Sequence, residues 1–151
     1  MTQLELTIYL SGEIHSDWRE QIKQGITEHN LPITVLSPVT THEASDNVGV
    51  SILGAEDQSF WKDHKAAKIN SVRIKAGIEQ ADVVIVKFGE KYRQWNAAFE
   101  AGYAVAKGKQ LITIHPTEFT HALKEIDASA VATTTDAAQV VEILKYLTTM
   151  P

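Results

Sequence analysis

Apolar residues along this chain come in short bursts separated by longer stretches of mixed character. "LTIYL" (6–10) is rich in β-branched and aromatic residues and is closed by Ser11-Gly12. "ITVLSP" (33–38) ends at Pro38, "DVVIVKF" (82–88) is almost wholly apolar, "QLITIH" (110–115) is stopped by Pro116, and "SAVAT" (129–133) is a weaker fifth. Runs this short, bounded by Gly or Pro, read as strands. The near-continuous third run suits a strand covered on both faces. Between the bursts the period changes. In "HSDWREQIKQGITEH" Trp18, Ile22 and Ile26 recur every fourth residue, which predicts a helix. "AAKINSVRIKAGIEQA" (66–81) predicts a second, with Ile69, Val72 and Ile78 on related faces. Further helices are expected at about 95–107, 118–125 and 135–148.

Strand-helix alternation implies an α/β fold. The expected architecture is a single domain over 1–151, a flavodoxin-like or Rossmann-like three-layer sandwich. Its five-stranded, mainly parallel sheet is expected in the order 2-1-3-4-5. Ligands in such sheets bind beyond the carboxyl ends of the strands, where the order reverses between strands one and three. The segments that matter most are therefore "SGEIHSDW", "GEKYRQWN" and "HPTEF". Residues 39–63 follow neither period and read as either a lid-like loop or a solvated insertion.

Composition narrows the function classes. With 151 residues the chain can bury a real core without metal or disulfide support. The net charge is −5 and no block of Lys and Arg occurs, so binding to polymeric nucleic acid or to a membrane surface is not expected. There is no cysteine, which excludes disulfides, thiolate metal sites and cysteine nucleophiles. The first residues do not read as a signal peptide, and no apolar run is long enough to span a bilayer. A cytoplasmic location is expected. A GxGxxG fingerprint, a P-loop and a GxSxG elbow are all missing. "HEASD" (42–46) lacks the second His of HExxH, so neither metal nor cofactor is expected.

The segment "WNAAFEAGYAVAKGK" (95–109) carries one carboxylate, Glu100, among small and apolar residues. On a helix from Trp95, the residues Asn96, Glu100, Tyr103 and Lys107 share a face. Ala98, Phe99, Gly102, Val105 and Ala106 lie opposite, suited to the sheet. The polar face is either a solvated stripe or a reagent at the ligand end of the sheet. A carboxylate there can attack the anomeric carbon of a sugar and form a covalent glycosyl intermediate.

Other candidates cluster after the strands. Ser11 and Gly12 close strand one, and Gly89 follows strand three. Gly12 permits a tight turn, Ser16 can cap the next helix, and the amides there can hold a phosphate. Glu13, His15 and Arg19 add charge beside them. Trp61 can stack on a base, and Asp63 and His64 can move a proton. Asn70 and Arg73 lie three apart and can address one cleft; Arg93 and Lys91 can meet a phosphate or carboxylate. An ordinary capping, packing or surface role stands against each of these.

The run "ADVVIVKFGEKYRQWNAAFEAGYAVAKGKQLITIHP" resembles the nucleoside 2-deoxyribosyltransferase superfamily, and within it the YtoQ-like branch. Asp82 leads the strand, and Glu100, Gly102 and Ala104 match the helix motif Gly-x-x-x-Glu-x-Gly-x-Ala. "IYLSG" is similar to the family's opening Ile-Tyr-x-x-Gly through Ile8, Tyr9 and Gly12. The resemblance implies that Glu100 is the nucleophile toward a deoxyribosyl carbon and that Tyr9 orients it or lies beside the sugar. It also implies a homo-oligomer. Asn96 stands where the motif has its first Gly, and an ungapped count places Ile74 where the transferases carry the acid that handles the base.

Transfer or hydrolysis of an N-glycosidic bond in a nucleoside or nucleoside 5′-monophosphate is therefore the expected function. The alternative is a non-catalytic nucleotide-binding or sensing module on the same scaffold. A flavodoxin-like electron carrier lacks a recognisable flavin-phosphate loop.

Overall fold

The computed structural model describes residues 3–38, 40, 42–91 and 95–150. Five strands, β1 (Leu6–Gly12), β2 (Ile33–Leu36), β3 (Val83–Lys87), β4 (Gln110–Ile114) and β5 (Ala132–Thr134), form one sheet in the order β2-β1-β3-β4-β5. Every pairing is parallel. Parallel neighbours need crossovers, and helices supply them: α1 (Trp18–Glu28), α2 (His42–Leu53), α3 (Ser59–Gln80), α4 (Trp95–Ala106), α5 (Lys124–Ala128) and α6 (Ala137–Thr149). A 3-10 turn at Thr117–Phe119 precedes α5.

The alternation of side chains along each strand builds two cores. Ile8 and Leu10 of β1, with Val83 and Ile85 of β3, point to one face and meet Trp18, Ile22, Val140 and Leu144 of α1 and α6. Tyr9 of β1, with Val84 and Val86 of β3, points to the other face. It meets Ile78 of α3 and Ala97, Ala101 and Ala104 of α4. The register Tyr9↔Val84 and Ser11↔Val86 brings the end of β1 level with the end of β3. Ser11, two residues beyond Tyr9, thus shares its face and looks toward α4.

Two expectations are corrected. Residues 39–63 are not a loop. Their greater part forms α2 and the first turn of α3, and the helix expected from residue 66 begins at Ser59. The two helices make an antiparallel hairpin lying against the sheet through the carboxyl half of α3. The second correction concerns α4. Its sheet-facing stripe is Ala97, Glu100, Ala101 and Ala104, whereas Phe99 is 62% exposed and Gly102 and Ala106 face outward. Small side chains bring α4 close to the strands, and that closeness carries Glu100 inward. Smaller adjustments are β5, which starts at Ala132, and α6, whose first turn is capped by the Asp136 carboxylate accepting from the Gln139 amide at 2.9 Å.

No described helix is long and apolar enough to cross a membrane.

Candidate active site

Glu100 is 8% exposed, so the carboxylate is a buried group and not part of a solvated stripe. Ser11 Oγ, itself fully buried at the end of β1, donates a hydrogen bond to Glu100 Oε2. Burial raises the Glu100 carboxyl above its ordinary range, while the Ser11 hydrogen bond and the charge of Arg19 pull the other way. The result is a largely buried carboxylate held in one orientation beside an open space.

Tyr9 lies next to it on β1. Its hydroxyl is buried and has no hydrogen-bond partner among the described residues. Burial, then the neighbouring Glu100 charge, raises its pKa; Arg19 and Arg73 oppose this. The phenol therefore stays protonated, a donor whose natural acceptor would be a bound molecule. Its ring is held by α3. A Cβ built on Gly77 would stand 2.5 Å from Tyr9 Cε2, so only glycine lets the helix sit that close.

Arg19 is 5% exposed and turned inward. Its Nη1 donates to Glu13 O at 2.6 Å, Nη2 to Gly12 O at 3.2 Å, and Nε to Leu10 O at 3.3 Å. Those carbonyls end β1, so Arg19 clamps the loop beneath Glu100 while lending it positive charge. Gly12 has φ +108° and approaches Lys87 O too closely for any side chain.

The β1–α1 turn is already filled by the chain's own anion. The Glu13 carboxylate accepts from the His15 amide and from Ser16 Oγ, the latter at 2.5 Å. Burial alone would raise the Glu13 pKa, but these hydrogen bonds and the Lys87 charge outweigh it and hold it low. Ser16 is thus spent on Glu13, and the residue capping α1 is Asp17, without a side-chain cap. The phosphate cradle expected here is closed by Glu13. Gly89 backs onto that Glu13 side chain. Glu13, His15 and Gly89 line a separate hollow of about 350 Å³.

Glu100 opens into a cleft of about 600 Å³ between α4 and the α2–α3 hairpin, a volume in the range of small-molecule sites. Asn96, Asn70 and Asp63 share its walls. Asn70 is partly committed, since its Nδ2 donates to Ser45 O at 3.0 Å and to Ser45 Oγ at 3.2 Å. Trp61 and His64 do not line the cleft. They form an aromatic cluster with Phe60 at the far end of α3, with Trp61 and Phe60 centroids 4.9 Å apart. Arg73 is exposed, with its charge felt at Tyr9. Arg93 lies outside the described residues.

Sequence reasoning missed Asp46, which α2 brings to the cleft. The sole hint was its place in a stretch without a clear period. Ile74 also lines the cleft and gives that part of its wall an apolar surface. Among the described residues no group of three or more His, Asp or Glu side chains is arranged to hold a metal.

The chain is similar to known proteins in sequence and in fold. A family model described as nucleoside 2-deoxyribosyltransferase YtoQ matches residues 9–148. The uncharacterized protein YtoQ of Bacillus subtilis (strain 168) is 46% identical over 144 residues, covering 95% of this chain and 97% of its own. Among solved structures, a 2-deoxyribosyltransferase from Bacillus psychrosaccharolyticus superposes with a TM-score of 0.55 at 23% identity, covering 89% of this chain and 90% of its own. A conserved protein from Enterococcus faecalis V583 reaches 0.59 at 13% identity, with 94% and 98% covered. At those identities the structures speak for the fold. The family match, spanning both β1 with Tyr9 and Ser11 and α4 with Glu100, speaks for kinship: the chain belongs to the nucleoside 2-deoxyribosyltransferase YtoQ family.

Proposed function

We propose that the protein transfers or hydrolyses the N-glycosidic bond of a nucleoside or nucleoside 5′-monophosphate through Glu100. The observation that carries this reading is a buried carboxylate, oriented by Ser11, opening into a nucleoside-sized cleft beside an unpartnered phenol. The carboxylate oxygen attacks the anomeric carbon as the base departs, leaving a glycosyl ester on Glu100. Tyr9 donates to an oxygen of the sugar or of Glu100, and water or a second base then releases the sugar. One nucleoside deoxyribosyltransferase-like domain over 1–151 carries the whole site in this reading, and the cytoplasm, where free nucleotides circulate, is its compartment.

The apolar Ile74 in the cleft favours a second reading, a module that binds or senses nucleotides without turning them over. Pooled nucleosides and 5′-monophosphates, with and without an acceptor base, separate the two. Base released by the wild type and not by Glu100→Ala supports glycosidic chemistry, and acceptor dependence distinguishes transfer from hydrolysis. A ligand that raises the melting temperature without being cleaved supports the binding module. Equal activity in Glu100→Ala removes Glu100 as nucleophile.

A homo-oligomer belongs to the same proposal. Ile52, Leu53, Phe60 and Trp61 expose apolar surface at the tip of the hairpin, which a second copy would cover. A monomer by sedimentation at micromolar concentration would remove that part.

A further inference from the structure

Glu100 chemistry leaves one task unassigned. The base departs with the electron pair of its bond to the sugar, and an ordinary nucleobase needs a proton to leave easily. Glu100 forms the floor of the cleft, and Ser11 and Tyr9, buried behind it, add no second carboxyl group there. Along the α3 wall the two residues nearest that floor are Lys75 and the apolar Ile74, neither of them a carboxylic acid.

Height above the floor selects among the remaining carboxyl groups. Gly77 marks floor level, because it touches the Tyr9 ring. Asp63 lies nearly four turns earlier on α3, about 21 Å along the axis at 1.5 Å per residue. Asn70 lies two turns earlier, about 10 Å by the same rise. The Asn70 side chain is bonded to Ser45, so Ser45 and its neighbour Asp46 sit at this middle height. α2 is fixed there a second time, since Gly49 crosses Lys65 and Ala66 with no room for a Cβ. Asp46 is half-buried and lines the cleft that Glu100 opens into. A nucleoside with its anomeric carbon at Glu100 extends its base outward by about one ring, toward Asp46 and short of Asp63.

We propose that Asp46 is the residue that protonates the departing base, an inference that rests on the glycosidic reading of Glu100. In the first step a Glu100 oxygen bonds to the anomeric carbon while the carbon–nitrogen bond breaks. The electron pair goes to the base, and the Asp46 carboxyl proton goes to a ring nitrogen of that base. The neutral base leaves, and Asp46 becomes a carboxylate. In the return step the N–H of an acceptor base, or a water, gives its proton to Asp46 as its nitrogen or oxygen displaces Glu100. The ligand class is a nucleoside whose base presents an accepting ring nitrogen toward α2.

The test uses guanosine and 2′-deoxyguanosine, each with and without a methyl group on N7. The N7-methylated base is cationic and leaves neutral without a proton. The wild type is expected to release base from both kinds of substrate. Asp46→Asn is expected to lose on the order of 10²–10⁴-fold on the unmethylated substrate and to keep most of its rate on the methylated one, which also shows that the variant is folded. Equal losses on both substrates overturn the proposal, as does unchanged activity on the unmethylated one or a loss confined to Asp63→Asn. A wild type silent on every substrate overturns the Glu100 reading and this inference together, whereas an active wild type with an indifferent Asp46→Asn overturns this inference alone.

Discussion

Two glycines on neighbouring helices offer a matched experiment. Gly77 of α3 and Gly102 of α4 are both inside helices, and replacing either with Ala gains about 0.5–1 kcal/mol of helix propensity. Their surroundings differ. A Cβ at Gly102 meets nothing within 4 Å, whereas at Gly77 it stands 2.5 and 2.7 Å from two Tyr9 ring carbons. Carbon atoms rest about 3.5–4.0 Å apart, so the ring or α3 must retreat by about 1 Å. Overpacking of this kind costs about 1–3 kcal/mol. Since the propensity term is common to both, the gap in stability between Gly102→Ala and Gly77→Ala isolates the overlap with Tyr9. At roughly 2–4 °C per kcal/mol for a chain of this size, the melting temperatures should differ by several degrees, Gly102→Ala above wild type and Gly77→Ala below Gly102→Ala. A 1 Å displacement beside the nucleophile also costs about 10²-fold in rate, so base release should fall in Gly77→Ala alone. Equal melting temperatures would refute the packing argument. A destabilised Gly77→Ala with full activity would show that Tyr9's position does not serve the reaction.

Glu100→Gln should abolish base release while raising the melting temperature at neutral pH, because the amide can still accept from Ser11 and no charge is buried. The gain is about 1.4 kcal/mol for each pH unit by which Glu100 titrates above an unfolded glutamate. Because the folded Glu100 pKa is raised, the wild type keeps its full stability below the ordinary glutamate value and loses some as pH rises through the folded one. A pH series of melts should show that loss in the wild type and not in Glu100→Gln; parallel curves would count against it. The acid limb of kcat/KM in the wild type should likewise fall at higher pH than for an exposed glutamate, as read from a pH–rate profile. Ser11→Ala should move that limb upward further, since it removes a donor that favours the charged form, and an unmoved limb would assign Ser11 to packing alone.

The sheet was legible because its strands are dense with Val, Ile and Leu and end at Gly or Pro, and the two-residue period then dictated which face each residue serves. α2 was not legible. "HEASDNVGVSIL" contains Ser, Asp, Asn and Gly, which favour caps and turns over helix interiors. Its helix is held by packing on α3 at Gly49 and Ser45, contacts that no local pattern announces. The face of α4 was misread for a related reason. Hydrophobicity singles out Phe99 and Val105, yet the buried stripe is alanine, chosen for smallness rather than greasiness. Glu100 and Tyr9 were visible as a motif; that Ser11 would hold Glu100, and Arg19 the loop below it, depends on β1 facing α4 at this register.

The two walls of the cleft differ in construction. One carries Glu100, which with Ser11 and Tyr9 buried behind it is set by the sheet and by a helix pressed onto it, so that a change near them disturbs the centre of the molecule. The opposite wall is a helical hairpin whose outer helix meets its partner at the Gly49 crossing and at Ser45, where the Asn70 amide donates to it. Substitutions on that outer helix can alter what meets the far end of a ligand while leaving β1 and α4 untouched. Such a division lets one bond-breaking centre be refitted to different ligands, and it makes α2 the segment to vary in any attempt to redirect the protein's choice of substrate.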